Sequence, residues 1–164
     1  FMHDVTGFMV GKRSEHGGII KDGAKMVNAV ANSTVPKFTI VLGNSFGAGN
    51  YAMCGKAYDP RLIVAWPTAK IAVMGGTQAA KVLTQIQVSA LKKKGAAPDP
   101  EGEQKLFDEI KDRYETQTTP FYAASRLWVD AIIDPRKTRD FISIGIEMSN
   151  HGVVEKFNPG ILQT

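Results

Sequence analysis

Thirteen consecutive residues, Gly43–Gly55 (GNSFGAGNYAMCG), contain four glycines and three alanines or serines. They follow the apolar run KFTIVL at 37–42, so the chain leaves a predicted strand, loses most of its side-chain bulk and enters a predicted helix. The first N–H groups of a helix have no acceptor within it, and the helix dipole adds partial positive charge there. Such a turn can stabilise an oxygen that gains negative charge. We therefore predict that Ala48 and Gly49 donate hydrogen bonds to an oxyanion.

Two other glycine-bearing segments follow predicted strands. TGFMVG (6–11) comes after the strand at 1–5, and VMGGTQAA (73–80) ends the strand at 70–76. Ligands of open α/β sheets bind at the carboxyl ends of the strands, so the three junctions are expected to share one edge. Tight packing between helix and sheet explains the same glycines equally well, and the spacing alone favours neither explanation.

The usual catalytic side chains are sparse. His3, His16 and His151 lie far apart without the spacing of metal ligands, and His3 is predicted to be structural. Ser45 has no base that the sequence reveals, and Cys54 is most simply a small buried side chain. The patterns GxGxxG and GxxxxGK[ST] are absent, and no metal site is predicted.

Composition narrows the class of protein. The chain has 164 residues, 43% hydrophobic and 22% charged, with a formal charge of +4 and a pI of about 9.2. Its lysines are scattered except at 92–94, where they suit the polar end of a helix, so nucleic-acid binding is not predicted. No apolar run is long enough to span a bilayer. A single cysteine excludes an intrachain disulfide and favours a reducing compartment.

Strands alternate with helices along the chain, which predicts an α/β protein with a largely parallel sheet. The predicted strands are 1–5, 37–42, 61–67, 70–76 and a short one at Ile132 and Ile133. The predicted helices are 19–33, 49–58, 77–94, 103–117, one beginning near 121 and one at 136–150, with a glycine-punctuated loop at 7–18. We expect a single domain over 1–164 that begins inside a strand of a longer chain.

The stretch DVTGFMVG…MGGTQAA (4–80) resembles the C-terminal half of the carboxyltransferase (β) subunit of biotin-dependent acyl-CoA carboxylases, of the methylcrotonyl-CoA carboxylase type. TPFYAASRLWVDAIIDPRKTR (119–139) is similar to the closing segment of that family, and the tail after Asn150 is not assigned. The resemblance implies a crotonase-like ββα-spiral, the second of two such domains in a subunit and truncated at its N-terminus.

The resemblance also implies a biotin site. Ala48 and Gly49 would donate to the ureido oxygen of biotin, which becomes negative when its carboxyl group leaves. The residues implied to surround biotin are Gly7, Phe8, Met9, Val10 and Gly47. For Phe8, Met9 and Val10, packing against the next helix is an equal alternative. Tyr51 stands where propionyl-type relatives have an aspartate, which makes it a candidate for acyl-group selectivity and disfavours propionyl-CoA and acetyl-CoA. Gly75 and Gly76 are expected to shape the adjoining substrate-side loop.

The implied function is carboxyl transfer from carboxybiotin to an acyl-CoA resembling 3-methylcrotonyl-CoA. The implied partners are the acyl-CoA, a biotin carboxylase and biotin carrier subunit, and the N-terminal carboxyltransferase domain of a neighbouring subunit in a homo-oligomer. The expected compartment is the cytoplasm, or the mitochondrial matrix in a eukaryote.

Three alternatives stay open at this point. A biotin-dependent decarboxylase of the glutaconyl-CoA type runs the transfer in reverse. A hydratase or isomerase of the crotonase class needs a glutamate pair, and none lies between Gly43 and Ala57. A non-catalytic assembly fragment is the third.

Overall fold

Five strands and seven helices form in residues 1–95, 99–153 and 156, the part of the chain that this computed structural model describes. The strands are β1 (Met2–Val5), β2 (Phe38–Phe46), β3 (Leu62–Ala65), β4 (Lys70–Ala72) and β5 (Ala131–Ile132). The helices are α1 (Lys12–His16), α2 (Ile19–Asn32), α3 (Gly47–Ala52), α4 (Gly76–Lys93), α5 (Pro100–Gln117), α6 (Pro120–Ser125) and α7 (Thr138–Ser149), with 3-10 turns at Lys56–Tyr58 and Pro135–Lys137.

The sheet is parallel at every recorded pairing, as the alternation of elements predicts. β2 is its longest strand and has β1 on one side. On the other side β2 changes partner along its length: Phe38–Val41 pairs with β3, and Asn44–Phe46 pairs with β4. β5 extends the sheet beyond β3. This change of partner brings the ends of β1, β2 and β4 together at one edge.

β2 continues beyond Leu42, where the sequence predicts its end. The register against β1 shifts from His3 opposite Val41 to Val5 opposite Ser45, which leaves extra residues of β2 in a bulge. Asp4 stabilises this bulge, because its Oδ1 accepts a hydrogen bond from the Asn44 N–H at 3.0 Å. The side-chain acceptor replaces the missing ladder contact, so the strand runs on to Phe46.

The core lies on both faces of the sheet because consecutive strand residues alternate between them. On one face, Val41, Ile63 and Ile71 form a buried cluster with Ala123 of α6. On the other face, Ile40 and Val64 pack with residues from β5 to α7, which are Ala131, Ile133, Phe141 and Ile142. Covering both faces is typical of a parallel sheet and explains the nearly continuous apolar strands.

The other differences from the predicted elements are local. Residues 12–16 form the short helix α1 inside the segment predicted to be a loop. The helix predicted over 49–58 ends at Ala52, since Cys54 adopts a left-handed conformation with φ 64°. α5 begins at Pro100 because the side chain of Asp99 accepts a hydrogen bond from the Gly102 N–H.

Candidate active site at the start of α3

The turn between β2 and α3 depends on glycine at its first helical position. Phe46 is extended, and Gly47 then adopts φ 57°, a region that side-chain-bearing residues rarely occupy. A Cβ on Gly47 would lie 2.9 Å from the carbonyl oxygen of Val73, in the loop after β4. No side chain caps α3, and no carbonyl group within the helix can accept a hydrogen bond from its first four N–H groups. The amides of Ala48 and Gly49 are among those four.

Gly49 marks the closest approach of α3 to the end of β1. The residue is buried, and a Cβ there would lie 2.8 Å from Val5 Cγ2 and 3.2 Å from the Cα of Gly7. The loops after β1 and β4 therefore both contact the start of α3, so the three glycine-bearing junctions lie at one edge. The tight-packing explanation of the glycines holds for Gly47 and Gly49. Ala48 is exposed, so this packing does not cover it.

The dipole of α3 contributes less than the sequence suggests. The helix has six residues, whereas the sequence predicts a helix over 49–58. Because the macrodipole sums over aligned peptide units, a helix of this length provides donors chiefly through its individual N–H groups. The chemistry available at this junction is thus hydrogen bonding from the main chain to an oxygen.

The loop after β1 divides into a packed part and an open part. The Phe8 ring lies directly against Gly23 of α2, so this residue packs on the next helix. Met9 and Val10 are 74% and 81% exposed. Gly7 has φ 113°, and a Cβ there would lie 3.6 Å from the carbonyl oxygen of Phe46. Of the residues expected around biotin, Met9 and Val10 are thus the apolar side chains open to a partner.

Tyr51 lies on α3 with its ring half exposed and in contact with Tyr58. The two ring centroids are 4.9 Å apart in an edge-on arrangement. Partial burial and the neighbouring Tyr51 raise the pKa of the Tyr58 phenol. The Tyr58 phenol is therefore protonated near neutral pH and presents a neutral hydroxyl group.

Gly75 and Gly76 have different surroundings. Gly75 caps the start of α4, and a Cβ there would lie 3.6 Å from the Phe46 ring at the junction. A Cβ on Gly76 would lie 3.4 Å from the side chains of Tyr114 and Glu115 on α5. Gly76 therefore serves the contact between α4 and α5, and Gly75 is the one beside the α3 junction.

Sequence reasoning missed a buried polar network behind the junction. His3 Nδ1 lies 2.8 Å from Ser45 Oγ, and Asn50 Nδ2 donates to the same oxygen at 2.7 Å. His3 and Ser45 are fully buried. The sequence shows no base near Ser45 because His3 is 42 positions away, and only the parallel pairing of β1 with β2 brings the two together.

This His–Ser pair is not arranged for nucleophilic catalysis. His3 Nε2 donates to the carbonyl oxygen of Met53 at 2.7 Å, so the imidazole has no free nitrogen, and Ser45 has no exposed surface. Burial lowers the pKa of His3, against the opposing effect of its bond to Met53. Cys54 is also fully buried, and burial raises the pKa of its thiol. Both groups are neutral near physiological pH.

The described residues contain no group of three or more His, Cys, Asp or Glu side chains placed to hold a metal ion. Among the helices in the described ranges, none combines the length and the apolar character that crossing a membrane requires.

Comparison with known proteins gives a consistent family. A profile described as "Carboxyl transferase domain" matches residues 1–160. The chain is 48% identical over 159 residues to the probable methylcrotonoyl-CoA carboxylase beta chain, mitochondrial, of Drosophila melanogaster, covering 96% of this chain and 28% of that protein. It is 45% identical over 163 residues to the biotin-dependent 3-methylcrotonyl-coenzyme A carboxylase beta1 subunit of Mycobacterium tuberculosis, covering 99% of this chain and 31% of that one.

A solved structure gives the same result. The beta subunit of the P. aeruginosa geranyl-CoA carboxylase superposes with a TM-score of 0.84 at 40% identity, covering 100% of this chain and 30% of that one. The crotonase-like fold and the resemblance to the methylcrotonyl-CoA carboxylase type are thereby confirmed. The chain spans less than a third of the length of each of these three proteins.

Proposed function

Because the chain belongs to the carboxyl transferase domain family, we propose that it forms the biotin-binding half of a carboxyltransferase site. In this proposal the complete enzyme transfers a carboxyl group from carboxybiotin to an acyl-CoA of the 3-methylcrotonyl-CoA class. The observation that carries the proposal is the start of α3, where uncapped amides lie between the loops that follow β1 and β4.

The residues at this junction suit biotin. A ureido oxygen is a hydrogen-bond acceptor, and the amides of Ala48 and Gly49 belong to the helix start that no side chain caps. Carboxybiotin, when bound, supplies the carboxyl group and leaves negative charge on its ureido oxygen. Two backbone donors aimed at that oxygen stabilise the charge without a titrating side chain. This accounts for a junction that holds no ionisable catalytic group.

The chain's own residues have three tasks in this proposal. Ala48 and Gly49 donate hydrogen bonds, and Gly47 gives the turn the conformation that presents them. Met9 and Val10 cover one side of the bound ring and exclude water, since both side chains are now exposed and apolar. Tyr51 contributes to the choice of acyl group. The acyl-CoA itself is held by the N-terminal domain of a neighbouring subunit, which makes a homo-oligomer necessary.

The carboxylase direction is favoured over the decarboxylase. The two curated relatives described above, at 48% and 45% identity, are carboxylase subunits. The name of the Mycobacterium tuberculosis relative supports biotin as the cofactor, and in this proposal a partner subunit carries it. The compartment we propose is the cytoplasm, or the mitochondrial matrix in a eukaryote, and the Drosophila relative is named as mitochondrial.

Ala48→Pro tests the proposed donors. Proline lacks the N–H group, and it is tolerated in the first turn of a helix because it breaks no intrahelical bond there. Ala48 is exposed, so the ring has room. In the complete enzyme complex, we expect the rate of carboxyl transfer to acyl-CoA to fall about 10²–10³-fold, the usual loss for one oxyanion donor. Transfer is measured from ATP and labelled bicarbonate.

Ala48→Ser is the matched control, because it changes the side chain and keeps the N–H group. We expect it to retain a rate within about threefold of the wild type. Thermal unfolding of both variants checks that the junction still folds. If Ala48→Pro folds normally and transfers at the wild-type rate, Ala48 is not a donor and the proposed site is wrong.

A further inference from the structure

The buried network behind α3 has one consistent arrangement of protons. The carbonyl oxygen of Met53 can only accept, so His3 Nε2 carries the proton in that 2.7 Å contact. His3 Nδ1 is then an acceptor, and the Ser45 hydroxyl donates to it across 2.8 Å. Ser45 Oγ in turn accepts from Asn50 Nδ2 at 2.7 Å. Each polar atom in this chain of contacts has the partner that its chemistry requires.

The network joins both ends of α3 to the sheet. Ser45 lies in β2 just before the helix, Asn50 lies within it, and Met53 caps its C-terminal end. The single imidazole of His3, on β1, contacts Ser45, two residues before the helix, and Met53, the residue after it. Ala48 and Gly49 lie in the short stretch between Ser45 and Asn50. The stretch is therefore flanked by residues that hydrogen bonds through Ser45 and His3 tie to β1 and β2.

The side chain of Thr39 holds the turn at Cys54, which follows α3. Cys54 has φ 64°, a costly conformation for a residue other than glycine, and its carbonyl oxygen accepts from Thr39 Oγ1 at 2.7 Å. Thr39 is fully buried, like His3. Its hydrogen bond anchors the end of the α3 segment and goes to Cys54, not to Ser45 or Asn50. The two anchors therefore differ in whether they reach the start of the helix.

We propose that His3 is a positioning residue for carboxyl transfer, which fixes the Ala48–Gly49 amides by joining Ser45 at the start of α3 to Met53 at its end. The inference rests on the proposed function, since it concerns the same amides. Donors for a developing charge act only when they are already in place, and a displacement of about 1 Å can cost about 10²-fold in rate. A six-residue helix has too few internal hydrogen bonds to hold its own position.

Three substitutions at His3 separate its two contacts. His3→Leu removes both. His3→Gln places an amide nitrogen near the position of Nε2 and keeps the donor to Met53. His3→Asn places an amide oxygen near Nδ1 and keeps the acceptor for Ser45. We expect the rate with free biotin as the carboxyl acceptor to fall about 10²-fold for His3→Leu and about tenfold for His3→Gln and His3→Asn. The KM for the carboxylated acyl-CoA donor stays unchanged, because that substrate binds elsewhere.

Thr39→Val is the matched control for loss of stability. It removes one buried hydrogen bond from the same segment, which costs about 1–3 kcal/mol, yet it leaves the contacts of His3 and Ser45 in place. We expect it to unfold at a lower temperature and to keep its turnover number. If it loses turnover as much as a His3 variant of equal stability, His3 acts through general stability, and the positioning role is wrong.

Ser45→Ala gives an answer even if His3→Leu does not fold. It interrupts the network at its centre with a small change of volume, and we expect the turnover number to fall about tenfold. An unchanged turnover number in Ser45→Ala overturns the inference. Ala48→Pro, assayed in parallel, identifies the other failure. If Ala48→Pro is active, Ala48 is not a donor and the proposed site is wrong, whereas an inactive Ala48→Pro beside active His3 and Ser45 variants refutes the positioning role alone.

Discussion

The two edges of the sheet present different surroundings to a ligand. At the amino edge, where β2 and β3 begin, a groove of about 810 Å³ is lined mostly by apolar side chains, among them Phe38, Leu62 and Ile144. At the carboxyl edge, the start of α3 has little side-chain volume, and glycines of the neighbouring loops pack against it. Cavity volume alone favours a ligand site at the amino edge. A specific site, however, depends on polar groups that converge on one point, and this criterion favours the carboxyl edge.

The two edges also differ in what their buried or partly buried polar side chains stabilise. The charged residue Lys37 beside the amino groove donates to the carbonyl oxygen of Ser33, a contact that stabilises the end of α2. At the carboxyl edge, three buried or partly buried side chains hold the ends of a six-residue helix. A short helix needs this support only if its position matters. The difference supports the proposal that the small, tightly anchored edge carries the chemistry.

The same substitution at two helical glycines gives the largest expected difference between the edges. Gly49→Ala puts a Cβ 2.8 Å from Val5 Cγ2 and 3.2 Å from the backbone of Gly7. Because that backbone cannot move without disturbing β1, we expect a loss of about 1–3 kcal/mol in the free energy of unfolding. Gly145→Ala puts a Cβ 2.7 Å from the Phe38 ring, which faces the open groove. That ring can turn away, and the gain in helix propensity offsets the contact, so we expect a change within about 0.5 kcal/mol.

Urea unfolding of the two variants and the wild type measures both values. Equal losses at the two glycines would mean that the carboxyl edge is no more rigid than the amino edge. Gly75→Ala is the control at the carboxyl edge, since its Cβ would meet the Phe46 ring at an ordinary 3.6 Å and its φ is −63°.

The pH dependence of stability gives the next expected effect. Burial lowers the pKa of His3 in the folded protein below its usual value of 6.5. As the pH falls below about 6.5, the unfolded chain binds a proton that the folded protein does not, so the free energy of unfolding decreases until the pH reaches the lowered pKa. Above that range the neutral imidazole imposes no penalty. We expect the wild type to lose more stability than His3→Gln between about pH 7 and about pH 5, measured by urea unfolding. Parallel curves for the two proteins contradict the burial of a neutral His3.

The sequence predicted which loops meet at the carboxyl edge, but it did not predict the side chains that hold β2 and α3 in place there. Glycines after three predicted strands, together with a parallel sheet, were enough to bring Gly7, Gly47 and Gly75 near one another. The bulge in β2 was not predictable, because the Asp4 carboxylate that stabilises it belongs to another strand. The early end of α3 depends on the left-handed Cys54, and its support comes from Thr39 and His3.

Hydrogen bonds between residues that are distant in the sequence leave no periodic pattern in it. Hydrophobic periodicity indicates which face of an element is buried, and it located the long helices α4 and α5 well. A single buried hydrogen bond between distant residues leaves no such pattern, so His3 could be predicted as structural but its partners could not. The glycine-bearing turn predicted the candidate donors and the family resemblance assigned biotin to them, whereas only the structure revealed the network that holds them.

The smallest effect is expected from a charge placed in the amino groove. Ile144 is 55% exposed on α7, and its substitution by glutamate buries no charge, so the change in stability should stay within about 0.5 kcal/mol. If acyl-CoA bound in this groove, the new carboxylate would repel its phosphates and raise the KM. We expect the KM for acyl-CoA and the turnover number of Ile144→Glu to match those of Ile144→Gln, the neutral control of similar size. A higher KM in the glutamate variant alone would assign the acyl-CoA to the amino edge and remove the functional contrast between the two edges.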